Sequence, residues 1–118
     1  MISLKDEELR KILPHDGPSL EEVKKYLDKY NNEFIVIKCG GSVLIDPGLF
    51  DIFIKDVSVL KKIGLSPIIV HGGGKRINNK LNELNIKSNF IKGLRITDDK
   101  TIGIVENVLI EFNKEIVS

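Results

Sequence analysis

Two apolar runs in this chain each stop at a cluster of glycines, and that repetition narrows the possible folds more than any other feature. FIVIKCGGS occupies residues 34–42 and SPIIVHGGG residues 66–74. Phe34, Ile35, Val36 and Ile37 form a continuous run rich in β-branched side chains, the pattern of a strand covered on both faces, as parallel strands of α/β proteins are. Pro67, Ile68, Ile69 and Val70 repeat it. Between the two runs Asp46-Pro47-Gly48 punctuates the chain, and Phe50, Phe53, Ile54, Val57 and Leu60 then recur at helical spacing until Gly64. After the second glycine cluster, Ile77, Leu81, Leu84 and Ile86 predict another helix, ending near Asn85. Strand, helix, strand, helix in this order argues for a parallel sheet with right-handed crossovers.

The flanks are less regular. Residues 1–13 are charged and weakly amphipathic, and Pro14-His15-Asp16-Gly17-Pro18 breaks them as a linker. Ser19 and Glu22 stand at capping-box spacing, so a helix is expected over about 19–30, with Leu20, Val23, Tyr26, Leu27 and Tyr30 on one face and Asn31-Asn32 ending it. Residues 1–33 therefore read as an N-terminal extension to a domain of residues 34–118. Within that domain, residues 88–97 suggest a small hairpin turning at Lys92-Gly93. A last helix is expected from residue 97 onward, capped by Thr97 or Asp98, with Ile102, Val105, Val108, Leu109, Phe112 and Ile116 along one side. No Gly, Asn or Pro closes that pattern after Ile116, which reads as a sequence cut short.

At 118 residues one small domain is the natural expectation. Eighteen Lys and Arg against 17 Asp and Glu give a net charge of +1, so no overall field draws the chain to nucleic acid or membrane, and an anionic partner must be held locally. Cys39 is the sole cysteine, so an intrachain disulfide is excluded, and its apolar neighbours favour packing over nucleophilic chemistry. The charged N-terminus resembles no signal peptide, which points to the cytoplasm. His15 and His71 lack partners at ligand spacing, so no metal site is expected.

Each glycine cluster follows a strand and precedes a helix, the carboxyl edge at which open α/β sheets bind ligands. Gly40-Gly41-Ser42 and Gly72-Gly73-Gly74 can both bring bare backbone N–H groups close to an anion. Either cluster alone is equally well explained by a tight turn. Together, and with Lys38 emerging from an apolar strand where an ammonium group needs a counter-charge, they favour one phosphate pocket. The dinucleotide fingerprint GxGxxG is absent, Gly74-Lys75 is followed by Arg76 rather than Ser or Thr, and no GxSxG nucleophile elbow accompanies His71-Gly72-Gly73-Gly74. Dehydrogenase, P-loop ATPase and esterase readings therefore lose ground. Arg95 is either an ordinary surface arginine or a bidentate carboxylate clamp. Lys75 and Arg76 read as a solvated helix start with some capacity to steer anions.

In order along the chain, Lys38-Cys39-Gly40-Gly41-Ser42, Val70-His71-Gly72-Gly73-Gly74, Gly93-Leu94-Arg95-Ile96-Thr97-Asp98 and Asn113-Lys114-Glu115-Ile116-Val117 resemble the acetylglutamate kinase branch of the amino-acid kinase family. The resemblance runs from about Phe34 to Ser118. It implies an open αβα sandwich with a mainly parallel sheet, of which this chain would be the N-terminal part. It implies ATP as co-substrate, with Mg, and transfer of the γ-phosphoryl group to the side-chain carboxylate of N-acetyl-L-glutamate in arginine biosynthesis. Carried over by position, Lys38 would stabilise the phosphoryl group in flight, Gly40 and Gly41 would contact the ATP phosphates, Gly73 and Gly74 would touch the amino-acid substrate, and Arg95 would hold its α-carboxylate.

The family's nucleotide-binding half, with its second lysine, an organising aspartate and a substrate-binding asparagine, has no counterpart in these residues, so the chain is expected to be an inactive fragment. Cys39 stands where members often place an aromatic or a leucine. Related kinases of aminoadipate and a non-catalytic amino-acid sensor remain alternatives. Full-length relatives are expected to be homo-oligomers, and the 19–30 helix could pair subunits or pack on its own core.

Overall fold

The structure, a computed structural model, describes residues 5–118. Its order is mixed α and β, and the chain divides into two compact units, residues 5–38 with 51–70 and residues 39–50 with 71–118.

In the first unit the N-terminal segment folds into α1 (Asp6–Ile12) and α2 (Leu20–Lys29). Asp6, Glu7 and Glu8 open α1 and Arg10 and Lys11 close it, each set at the helix end whose partial charge it complements. Leu9 and Val23 are buried and Lys24 pairs with Asp6, which ties the two helices together. The capping box forms as its spacing predicts: Glu22 N–H donates to Ser19 Oγ at 3.3 Å and Ser19 N–H donates to Glu22 Oε2 at 3.1 Å. Only part of the expected apolar face is covered. Val23 is buried, whereas Tyr26 and Tyr30 stack on each other in the open, ring centroids 6.3 Å apart.

β1 (Phe34–Cys39) and β2 (Ser66–His71) lie side by side in a parallel sheet, with α3 (Pro47–Lys62) between them in sequence. α3 ends where Gly64 takes φ 98°: Leu65 N–H donates to Leu60 O and Gly64 N–H to Lys61 O, both at 3.1 Å, the paired bonds that satisfy a helix's last carbonyls. The strands differ from expectation in one respect. Among the described residues Phe34 and Val36 remain 72% and 65% exposed, and Ile68 and Val70 are exposed beside them. Ile35, Ile37 and Cys39 alternate with the first pair and are at least partly buried, so burial follows the period of two of a one-sided strand. A continuous apolar run is silent about which of its faces finds a partner.

The second unit holds α4 (Gly74–Glu83), the antiparallel hairpin β3 (Asn89–Ile91) and β4 (Leu94–Ile96), and α5 (Ile102–Val117). Ile77 and Leu81 of α4 meet Val108 of α5, with Ile86, Ile104, Val105 and Leu109 around them. Asn85 ends α4 at φ 55° with the same paired bonds seen at α3. The hairpin turns at Lys92 (φ 50°) and Gly93 (φ 79°), two left-handed residues whose twist matches that of the flanking strands.

α5 begins later than its sequence suggests. Residues 98–101 form a turn in which Asp98 Oδ1 accepts from Thr101 N–H (2.9 Å), Thr101 Oγ1 (2.9 Å) and Lys100 N–H (3.1 Å), while Asp98 N–H donates to Thr101 Oγ1 at 3.0 Å. Thr101 is buried by this exchange, and the helix starts at Ile102. The Thr101 bonds hold the Asp98 carboxyl below its usual range. Because the folded state favours the ionised form, Asp98 stabilises the fold at neutral pH and ceases to do so as pH falls through its depressed value. Between about pH 6 and about pH 3, melting temperature should fall further in the unaltered protein than in Asp98→Asn. Equal falls in a thermal scan would remove this role.

Candidate functional site

Lys38 is the penultimate residue of β1 and its side chain is exposed. Cys39 after it is buried, and burial pushes its thiol pKa up, which suits packing and opposes nucleophilic use. The backbone then enters a left-handed conformation at Gly41, φ 63°, and makes a short 3-10 turn over Gly41–Leu44. A side chain at residue 41 would strain that backbone. Gly40 has no such requirement and a Cβ there would meet open space.

The second loop is built into the start of α4. Gly73 is the N-cap and offers no side chain, so the first N–H groups of the helix are left to whatever lies before them. Gly73 also rests on α5: a Cβ at this position would come 2.6 Å from Leu109 Cδ2. His71 ties the end of β2 to both loop and helix. Its Nδ1 lies 3.0 Å from the Gly72 carbonyl oxygen, its Nε2 3.3 Å from Asn113 Oδ1, and its ring meets Phe112 edge-on at 4.9 Å.

Within the second unit both loops border one cavity of about 210 Å³. Gly41, Leu44 and Ile45 form one side, Gly72, Gly73 and Gly74 another, and Lys75, Arg76 and Phe112 complete the lining. Phe112 has no exposed surface. The Arg76 guanidinium lies 3.7 Å from its ring centroid, Phe50 packs on it at 6.0 Å, and Arg76 Nη1 contacts Glu115 Oε2 at 2.8 Å.

Arg95 reaches the same loop from the hairpin. Nη1 donates to Ser88 Oγ at 2.9 Å, and Nη2 donates to Asn78 Oδ1 and to the Gly74 carbonyl at 3.3 Å, while the guanidinium sits 4.7 Å from the Phe90 centroid. It adjoins the cavity through Gly74 rather than forming its wall. Among the described residues there is no cluster of His, Cys, Asp and Glu able to hold a metal ion.

A bare-backbone pocket after parallel strands, flanked by cations, recurs in many nucleotide enzymes, and comparison with known proteins narrows it. The sequence profile of the amino acid kinase family matches residues 33–118. The chain belongs to the amino acid kinase family. It is 75% identical over 117 residues to the acetylglutamate kinase of Pelagibacter ubique, a match covering 99% of this chain and 41% of that protein. It is 48% identical over 100 residues to that of Caldanaerobacter subterraneus subsp. tengcongensis, covering 84% of this chain and 33% of the relative. The chain thus spans well under half of the relatives it matches. Among solved structures, N-acetylglutamate synthase from Neisseria gonorrhoeae in complex with coenzyme A and N-acetyl-glutamate aligns over 81% of this chain and 22% of its own, with a TM-score of 0.62 at 18% identity, which speaks to fold alone.

In this member of the family Gly41, Gly73 and Gly74, three of the glycines singled out in sequence, share a cavity. Gly40 lies just outside its lining, and Arg95 is tied to Gly74. Three further participants were not linked to the pocket by sequence pattern. Arg76 read as part of a solvated helix start with some capacity to steer anions, Phe112 as one of several core positions, and nothing linked Asn113 to His71 across 42 residues. Gly41→Ala should lower unfolding free energy by about 1 kcal/mol, the penalty of a left-handed side chain, with Gly40→Ala lowering it by clearly less. Urea melts of the two variants would show this, and equal midpoints would contradict it.

Proposed function

We propose that this chain carries the substrate-binding and phosphoryl-positioning part of a kinase acting on N-acetyl-L-glutamate. The observation that carries the reading is the cavity at which both glycine loops meet beside Lys75 and Arg76, in a chain whose relatives bear the acetylglutamate kinase name. A carboxylate oxygen of the substrate attacks the γ-phosphorus of ATP, the bond to the β–γ bridging oxygen breaks, and acyl phosphate and ADP form. Such a step needs alignment and charge neutralisation more than covalent help.

Gly40 and Gly41 would lend N–H groups to the ATP phosphates, and Gly73 and Gly74 would approach the amino-acid substrate closely because they carry no side chains. Lys38, exposed at the end of β1, would neutralise charge on the phosphoryl group in flight. Arg95 would take the α-carboxylate, exchanging its bonds to Ser88 and Asn78 for a charged acceptor. Mg would accompany ATP and share the phosphate charge. The reaction is placed in the cytoplasm, in a homo-oligomer of the complete protein, whose remaining chain would supply the adenine site and cover the Phe34 and Val36 face of the sheet.

The acyl phosphate can be trapped by hydroxylamine as a hydroxamate. With a complete protein containing this chain, ATP and N-acetyl-L-glutamate should yield hydroxamate, and Lys38→Ala should lower kcat by about 10²–10³-fold, the usual loss when one preorganised transition-state contact is removed. The 118-residue chain alone should yield none. Unchanged kcat in Lys38→Ala, or turnover by the isolated chain, would contradict the assignment.

A further inference from the structure

α4 opens with two cations. Its first turn holds Lys75 and Arg76 and no acidic residue. That arrangement runs against helix electrostatics, because the free N–H groups at a helix start already carry partial positive charge and favour Asp or Glu. α1 and α2 follow the rule, with Asp6, Glu7 and Glu8 in one first turn and Glu21 and Glu22 in the other. α3 and α5 open on uncharged turns, so among the five helices of the described residues α4 alone starts with cations, which marks a place where something besides stability sets the sequence.

Arg76 is also held in place. Its guanidinium lies against Phe112, a ring with no exposed surface, and its side chain retains 29% of its accessibility. A guanidinium has five N–H donors, and Glu115 is its one acidic partner among the described residues. Arg76 also lines the cavity that Gly72, Gly73 and Gly74 border. Glu115 is about half exposed, so the pair is easily exchanged for another oxyanion. A stacked arginine has little rotamer freedom left to lose when it binds.

We propose that Arg76 is a further oxyanion-binding residue of this cavity, positioned by Phe112, with Glu115 as the resident counter-charge that a ligand displaces. The ligand chemistry is a carboxylate or a phosphoryl oxyanion, and the inference rests on the reading of the cavity as an anion site.

Calorimetric titration of the 118-residue chain with N-acetyl-L-glutamate and, separately, with inorganic phosphate tests it. For at least one probe, Arg76→Gln should weaken binding about tenfold or more, since a charged, bidentate contact is lost. Arg76→Lys should recover only part, because an ammonium group keeps the charge and not the fork. Glu115→Gln should bind more tightly than the unaltered chain. A loss confined to N-acetyl-L-glutamate assigns Arg76 to a carboxylate, and one confined to phosphate assigns it to the phosphoryl group. Unaltered affinity for both probes in Arg76→Gln, or weaker binding in Glu115→Gln, would overturn the proposal while leaving the anion site standing. Failure of the unaltered chain to bind either probe would overturn the anion site and this inference together.

Discussion

The side chain of Phe112 has no exposed surface, and the parts of the second unit that bear on chemistry meet around it. Arg76 covers one side of its ring, His71 meets it edge-on, and Phe50 packs against it. Arg76, His71 and Phe50 all belong to the second unit, as Phe112 does, so one residue of α5 gathers three side chains that are distant in sequence. Leu109, three residues earlier on α5, lies directly under Gly73. Asn113, one residue later, faces His71. The glycine loop has no side chains with which to hold itself, and α5 supplies the support from outside.

That division suits a site for anions. Backbone N–H groups bind an oxyanion well only when the loop that carries them is fixed beforehand, because donors that must reorganise lose much of their value. Bare glycines permit close approach and buried apolar packing underneath supplies rigidity. The charge comes from the first turn of α4 and from Arg95, whose donors already reach the Gly74 carbonyl. Beside the loop, Arg76 is paired with the half-exposed Glu115 and Arg95 with the neutral Asn78 and Ser88, and hydrogen bonds to neutral acceptors are weaker than those to an oxyanion.

Much of this was legible in sequence because it is governed by local rules. The Ser19 and Glu22 capping box, the ends of α3 and α4 at Gly64 and Asn85 and the turn at Lys92-Gly93 each depend on a few adjacent residues, and each stands where those residues put it. The two strands and their glycine loops follow from apolar runs and the punctuation after them. What escaped depends on distance along the chain. The start of α5 moved to Ile102 because Asp98 and Thr101 bond each other first, a choice that capping preference alone does not decide. The open face at Phe34 and Val36 reflects which neighbours are present, and an apolar run reads the same with one covered face or two. Arg76 could not be told from a solvated arginine, since its partners lie 36 and 39 positions away at Phe112 and Glu115.

The central claim is that the Gly72, Gly73 and Gly74 backbone, held by α5, receives the oxyanion of an acidic amino-acid substrate. Backbone amide resonances report on those N–H groups directly. In a ¹⁵N-labelled sample of the 118-residue chain titrated with N-acetyl-L-glutamate, the amides of Gly73 and Gly74 should shift saturably, with Arg76 following the same isotherm. Saturable shifts confined to other parts of the chain, or none at any accessible concentration, would contradict the account.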